Sequence, residues 1–119
     1  MRVIVGERGT GKTNAIIRAA SKAIIDDPNS KVVLISPYVN RSEIIKKSII
    51  RSLFYEGCSV DEKRIVSISF RTQIPKGISG NIHVYIDDIL ECVRSEFNVA
   101  DLDMITVDIN NNFNIEKLI

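Results

Sequence analysis

Short apolar runs alternate with stretches of helical periodicity along this chain. Residues 3–5, Val-Ile-Val, are too few for a buried helix and predict a first strand. From 12 to 26, Ile16, Ile17, Ala20, Ala23 and Ile24 fall on one face of a helix, and Asp27-Pro28-Asn29 ends it as a turn. Residues 32–35 predict a buried second strand, closed by Ser36-Pro37. A second helix is expected over 42–55, capped by Ser42 and stopped at Gly57, with Ile45, Ile49 and Leu53 on one face and Lys47 and Arg51 on another. Residues 64–70 alternate as a third strand, and Pro75, Gly77 and Gly80 mark the loop after it. A nearly continuous apolar strand over 82–86 then runs into two carboxylates, Asp87-Asp88. A short helix over 89–97 and a last strand over 104–109 complete the pattern, with Asn110-Asn111-Asn112 as a polar loop. Alternating strands and helices predict an α/β layer fold with a mostly parallel sheet.

Composition narrows the class. A chain of 119 residues, 45% apolar, is expected to form one domain over 1–119. Its net charge of +1 provides no general attraction to nucleic acid, so any such contact needs a local patch. No apolar run approaches the roughly 20 residues that cross a bilayer, and no signal segment precedes the first strand, so no membrane association and an intracellular, cytoplasmic location are expected. Cys58 and Cys92 lack paired metal or redox spacing and are expected to be reduced thiols. His83, between Ile82 and Val84 in a strand-like run, is expected to be structural.

The chemistry begins at GERGTGKT, Gly6 to Thr13, which matches G-x-x-x-x-G-K-[ST] without a mismatch directly after the first strand. Gly6, Gly9 and Gly11 allow a tight turn and close approach of backbone N–H groups to phosphate oxygens, with Thr10 inside the same loop. The following helix adds its N-terminal amides as an anion site. Lys12 would reach the β and γ phosphates, and the Thr13 hydroxyl would take one position on Mg²⁺. The second feature is Asp87-Asp88. In an open parallel sheet, ligands bind beyond the carboxyl ends of the strands, which is the edge where the Gly6 loop lies. One carboxylate there can share Mg²⁺ with Thr13 and the other can orient an attacking water; two acids after a strand can also simply cap the next helix.

GERGTGKT together with IHVYIDDI resembles the Walker A and Walker B pair of P-loop ATPases, on the branch with a catalytic acid beside the magnesium aspartate. In pattern, residues 31–90 are also similar to viral terminases, the DNA-packaging motors. The resemblance implies a three-layer P-loop NTPase fold in a small or incomplete version. It assigns Gly6, Gly9, Thr10, Gly11, Lys12 and Thr13 to ATP, Thr13 and Asp87 to Mg²⁺, and Lys12 and Asp88 to catalysis, Asp88 standing where these families usually carry Glu. Asn110 would be a polar γ-phosphate sensor or a turn amide. Only ten residues follow Ile109, too few for the further strand and helix that complete such sheets, so a homo-oligomer or a protein partner at the unfinished edge is expected. Arg41, Arg51, Arg71 and Arg94 are either solvated surface charges or candidates for an arginine supplied to a neighbouring subunit. The expected activity is ATP hydrolysis in a DNA transaction, in the host cytoplasm if the source is a virus, with Lys46, Lys47 and Arg51 as either the face toward DNA or a solvated helix face. Two other readings share the loop: a nucleotide-binding regulatory module with little or no hydrolysis, and a small nucleotide kinase, for which no lid of adequate length is visible.

Overall fold

Strands and helices alternate as β1 (Arg2–Gly6), α1 (Lys12–Asp26), β2 (Ser30–Ser36), α2 (Val39–Tyr55), β3 (Ile65–Ser69), β4 (Asn81–Ile86), α3 (Ile89–Phe97) and β5 (Asn114–Leu118). The computed structural model describes residues 2–78, 80–106 and 113–118. Every strand pairing among these residues is parallel, as the alternation implies, but the strands form two small sheets rather than one: β2 lies between β3 and β4, and β1 pairs with β5.

β2 is central, and its continuous apolar run follows from burial on both faces: Val32, Val33 and Leu34 are almost wholly inaccessible. On one face, Val32 and Leu34 with Ile65 of β3 meet Ala20 and Ile24 of α1 and Ile45, Ile49 and Leu53 of α2. Each fully buried Leu or Ile contributes about 1.5–3 kcal/mol, so this cluster is the core. On the other face, Val33 is level with Val84, and Ile35 with Ile86. Ile82, Val84 and Ile86 remain 42%, 46% and 43% exposed, so among the described residues α1 and α2 cover one face and no third layer closes over β4.

Two boundaries differ from the sequence pattern. α2 starts at Val39 behind Tyr38, with no side-chain cap; Ser42 is fully buried instead, its hydroxyl 2.6 Å from the Ser36 hydroxyl and donating to the Ile68 carbonyl at 2.7 Å. The hydroxyl expected to cap a helix joins α2 to the ends of β2 and β3. The last strand is also misplaced: residues 104–106 are not in a strand, and 107–109, like Asn110 to Asn112, lie outside the described residues. The strand forms at Asn114–Leu118, where its partner β1 provides the ladder and Arg2 forms an ion pair with Glu116 at 2.8 Å. The ten residues after Ile109 therefore do hold a strand. Among the described residues no helix is long and apolar enough to cross a membrane.

Candidate functional site

The loop between β1 and α1 is built by its own backbone. Gly9 and Gly11 hold φ angles of 82° and 92°, in the left-handed region that favours glycine. At Gly6 a Cβ would stand 2.5 Å from Thr10 Oγ1 and 3.2 Å from Leu118 Cβ, so a side chain is excluded. Thr10 closes the turn, both its amide and its hydroxyl donating to the Glu7 carbonyl, at 3.2 and 2.6 Å. The Lys12 ammonium folds back and donates to the carbonyls of Gly6 and Glu7 at 2.8 and 2.7 Å. α1 begins behind Gly11 with no side-chain cap and no acid in its first turn. Its positive end is thus not neutralised by a side chain of its own first turn.

β4 delivers the carboxylates to the same place. The Asp87 amide donates to the Ile35 carbonyl at 2.8 Å, extending the β2–β4 ladder one step and fixing the backbone there. Asp87 is 4% exposed. Its Oδ1 accepts from the Thr13 hydroxyl at 3.3 Å, joining loop and strand end across 74 residues of sequence. Its Oδ2 lies 3.0 Å from Arg41 Nε, yet is buried without a hydrogen bond, so that the contact is one of charge and not of directed donation. A buried carboxylate in that state is costly unless a cation stands by it.

Asp88 is held differently. It takes the left-handed conformation, φ 56° and ψ 65°, as the N-cap of α3, and its Oδ1 accepts from the Glu91 amide at 3.2 Å. Its Oδ2 is 3.7 Å from Arg41 Nη1. The capping role open to either acid thus falls to Asp88. Behind both, buried Cys92 donates its thiol to the Asp87 carbonyl at 3.7 Å. Burial first, then the Asp88 and Asp87 charges, push that thiol up to about 11, so it stays protonated near neutrality and does not compete as a thiolate ligand.

Thr13 Oγ1 and Asp87 Oδ1, 3.3 Å apart, are oxygen atoms of the type that a hard divalent cation takes as ligands. Among the described residues no group of three or more His, Cys, Asp or Glu gathers to hold a metal alone. Such a cation would draw its remaining ligands from phosphate and water, as Mg²⁺ does with nucleotides. His83 is half-buried on β4, four residues or roughly 13 Å of strand before Asp87, and outside the site. Arg71 pairs with Glu96 and Arg94 with Glu91. Lys47 and Arg51 are exposed on α2, whereas Lys46 is half-buried. The concavity lined by Asn29, Ser30, Arg64 and Asn81 lies at the opposite end of β2 and β4.

Arg41 was expected as a surface charge or a donor to a neighbouring subunit, and instead faces its own chain's carboxylates. Its signal in the sequence was its place five residues past the carboxyl end of β2, the edge shared with Gly6 and Asp87. No protein-family model matches the chain, and comparison with characterised proteins and with solved structures gave no match.

Proposed function

We propose that the chain is a small P-loop ATPase that binds Mg·ATP between the Gly6–Thr13 loop and Asp87, and hydrolyses it in a DNA transaction. The observation that carries this reading is the Thr13–Asp87 contact of 3.3 Å, which brings the loop hydroxyl and the strand-end carboxylate to one point. Lys12 would exchange the Gly6 and Glu7 carbonyls for β and γ phosphate oxygens, and the uncapped amides of α1 would receive the phosphate chain. Thr13 and Asp87 would hold the metal, which supplies charge neutralisation to the transferring phosphoryl group. Asp88 Oδ2, the oxygen not used in the cap, is the atom available to orient a water for in-line attack.

The test is titration with a fluorescent ATP analogue in the presence of Mg²⁺. A charge-assisted hydrogen bond is worth about 1.5–3 kcal/mol, so Lys12→Ala is expected to weaken binding roughly tenfold to a hundredfold with the circular dichroism spectrum retained. Undiminished affinity in the folded variant removes the phosphate-loop assignment.

One observation favours a second reading. The commitment of Asp88 to the α3 cap and to Arg41 suits a module whose output is its nucleotide-bound shape rather than its turnover. Phosphate release over many turnovers, measured with and without DNA, separates the two.

A further inference from the structure

We infer that Arg41 is the resident counter-ion of the Asp87–Asp88 pair, and that it must leave the pair for a divalent cation to enter, so that cation binding and release of Arg41 form one coupled step. The inference rests on Thr13 and Asp87 being cation ligands and adds a residue that the motifs do not contain.

Three observations carry it. Arg41 Nε stands 3.0 Å from Asp87 Oδ2, and Nη1 3.7 Å from Asp88 Oδ2, so one guanidinium spans both acids. Asp87 is buried and its Oδ2 accepts no hydrogen bond, which leaves the Arg41 charge as its compensation. Arg2–Glu116 and Arg71–Glu96 are hydrogen-bonded at 2.8 and 2.7 Å, whereas Arg41, like Arg94 beside Glu91, meets its acids through proximity alone, and it alone of these arginines faces a buried carboxylate. The Arg41 side chain is also 42% exposed, against 5% for that of Asp87, so it can move into solvent without unpacking the core.

Charge then decides the order of events. Two carboxylates and one guanidinium leave a single negative charge at the strand ends. A divalent cation beside Asp87 would share that carboxylate with a second positive group about 3–5 Å away, and like charges at that range repel strongly in a partly buried setting. The metal, with the higher charge and oxygen ligands from Thr13 and Asp87, holds the position, and Arg41 swings outward from the first turn of α2. α2 therefore senses whether the cation is present.

The experiment uses the whole chain and Mn²⁺ alone, followed by electron paramagnetic resonance. Arg41→Gln is expected to bind Mn²⁺ about tenfold more tightly than wild type, because the competing charge is gone. Arg41→Lys, which keeps that charge, is expected to stay within about threefold of wild type. A second measurement does not depend on whether the glutamine variant folds: in ¹⁵N spectra of wild type, addition of Mg²⁺ should move the Arg41 Nε–H signal to the position of a solvent-exposed arginine. Equal Mn²⁺ affinity in wild type and Arg41→Gln, including no binding to either, overturns the inference. So does an Arg41 signal unmoved at saturating Mg²⁺. A wild type that takes Mn²⁺ in competition with Arg41 but no ATP analogue keeps the counter-ion role and removes the ATPase reading. One that binds the analogue with a metal dependence indifferent to Arg41→Gln does the reverse.

Discussion

Asp87 and Asp88 are chemically identical neighbours held by different forces, and the difference sets what each substitution should do. Asp88 caps α3 from a left-handed backbone, a position where asparagine caps as well as aspartate and also tolerates positive φ. Asp88→Asn should therefore keep stability within about 0.5 kcal/mol and keep Mg·ATP binding, while lowering phosphate release by roughly a hundredfold or more if Oδ2 positions the water. Asp87→Asn should act on binding itself. It removes the charge facing Thr13 and Arg41, so the Mg²⁺ concentration for half-maximal binding of the ATP analogue should rise about tenfold or more. The opposite pattern, with turnover lost at 87 and metal dependence at 88, would exchange the two roles. Wild type without turnover, with DNA present or absent, would leave the nucleotide switch as the function.

At the scale of elements, α1 and β2 were legible because their patterns agree with their environments, and β4 was legible as a strand although Ile82, Val84 and Ile86 stay exposed. β2 is a short unbroken apolar run and is buried on both faces, and α1 carries its apolar residues on the face that meets α2. The tight turn over Gly6–Thr13 was legible for the same reason, its glycines standing where the backbone takes positive φ or crowds a Cβ. β5 was not, since Asn114–Leu118 has little strand propensity of its own and owes its form to β1; the better apolar run at 104–109 drew the assignment away. The contact of Arg41 with Asp87 was missed because it depends on how the first turn of α2 sits over the strand ends, which the position of Arg41 past β2 suggests but does not fix. Ser42 was misread as a cap because serine before an apolar helix usually is one. The two roles separate on substitution. At a cap, Ser42→Asp would be neutral or stabilising, whereas between the Ser36 hydroxyl and the Ile68 carbonyl a buried carboxylate should lower the free energy of unfolding by about 3 kcal/mol or more. Urea denaturation of the variant decides it, and a midpoint at or above wild type would return Ser42 to the surface.

At the scale of the whole molecule, a net charge of +1 makes any DNA contact a matter of where the cations stand. The outward stripe of α2 carries Ile44, Lys47, Arg51, Phe54 and Tyr55, which at helical spacing fall within about 100° of arc. Lys46 sits at the edge of the buried face and drops out of the expected patch. Phe54 and Tyr55 are 71% and 80% exposed, large values for aromatic side chains. Cations beside open aromatic faces suit single-stranded nucleic acid, whose phosphates meet the charges and whose bases stack on the rings. The purely aliphatic surface of β4, Ile82, Val84 and Ile86, has no such chemistry and suits a protein surface instead. The two kinds of contact on α2 respond differently to salt. Lys47→Ala with Arg51→Ala should flatten the dependence of log affinity on log salt by about 1.4 units, at roughly 0.7 per phosphate contact on a single strand. Phe54→Ala with Tyr55→Ala should lower affinity at every salt concentration and leave that slope in place, because stacking releases no counterions. Fluorescence anisotropy with a labelled oligonucleotide between 50 and 200 mM salt, roughly the range in which such slopes are read, measures both. No binding at the low end, or a slope indifferent to loss of both cations, would take DNA away from α2 and leave the nucleotide site coupled to a protein partner, with the exposed face of β4 as its first place of contact.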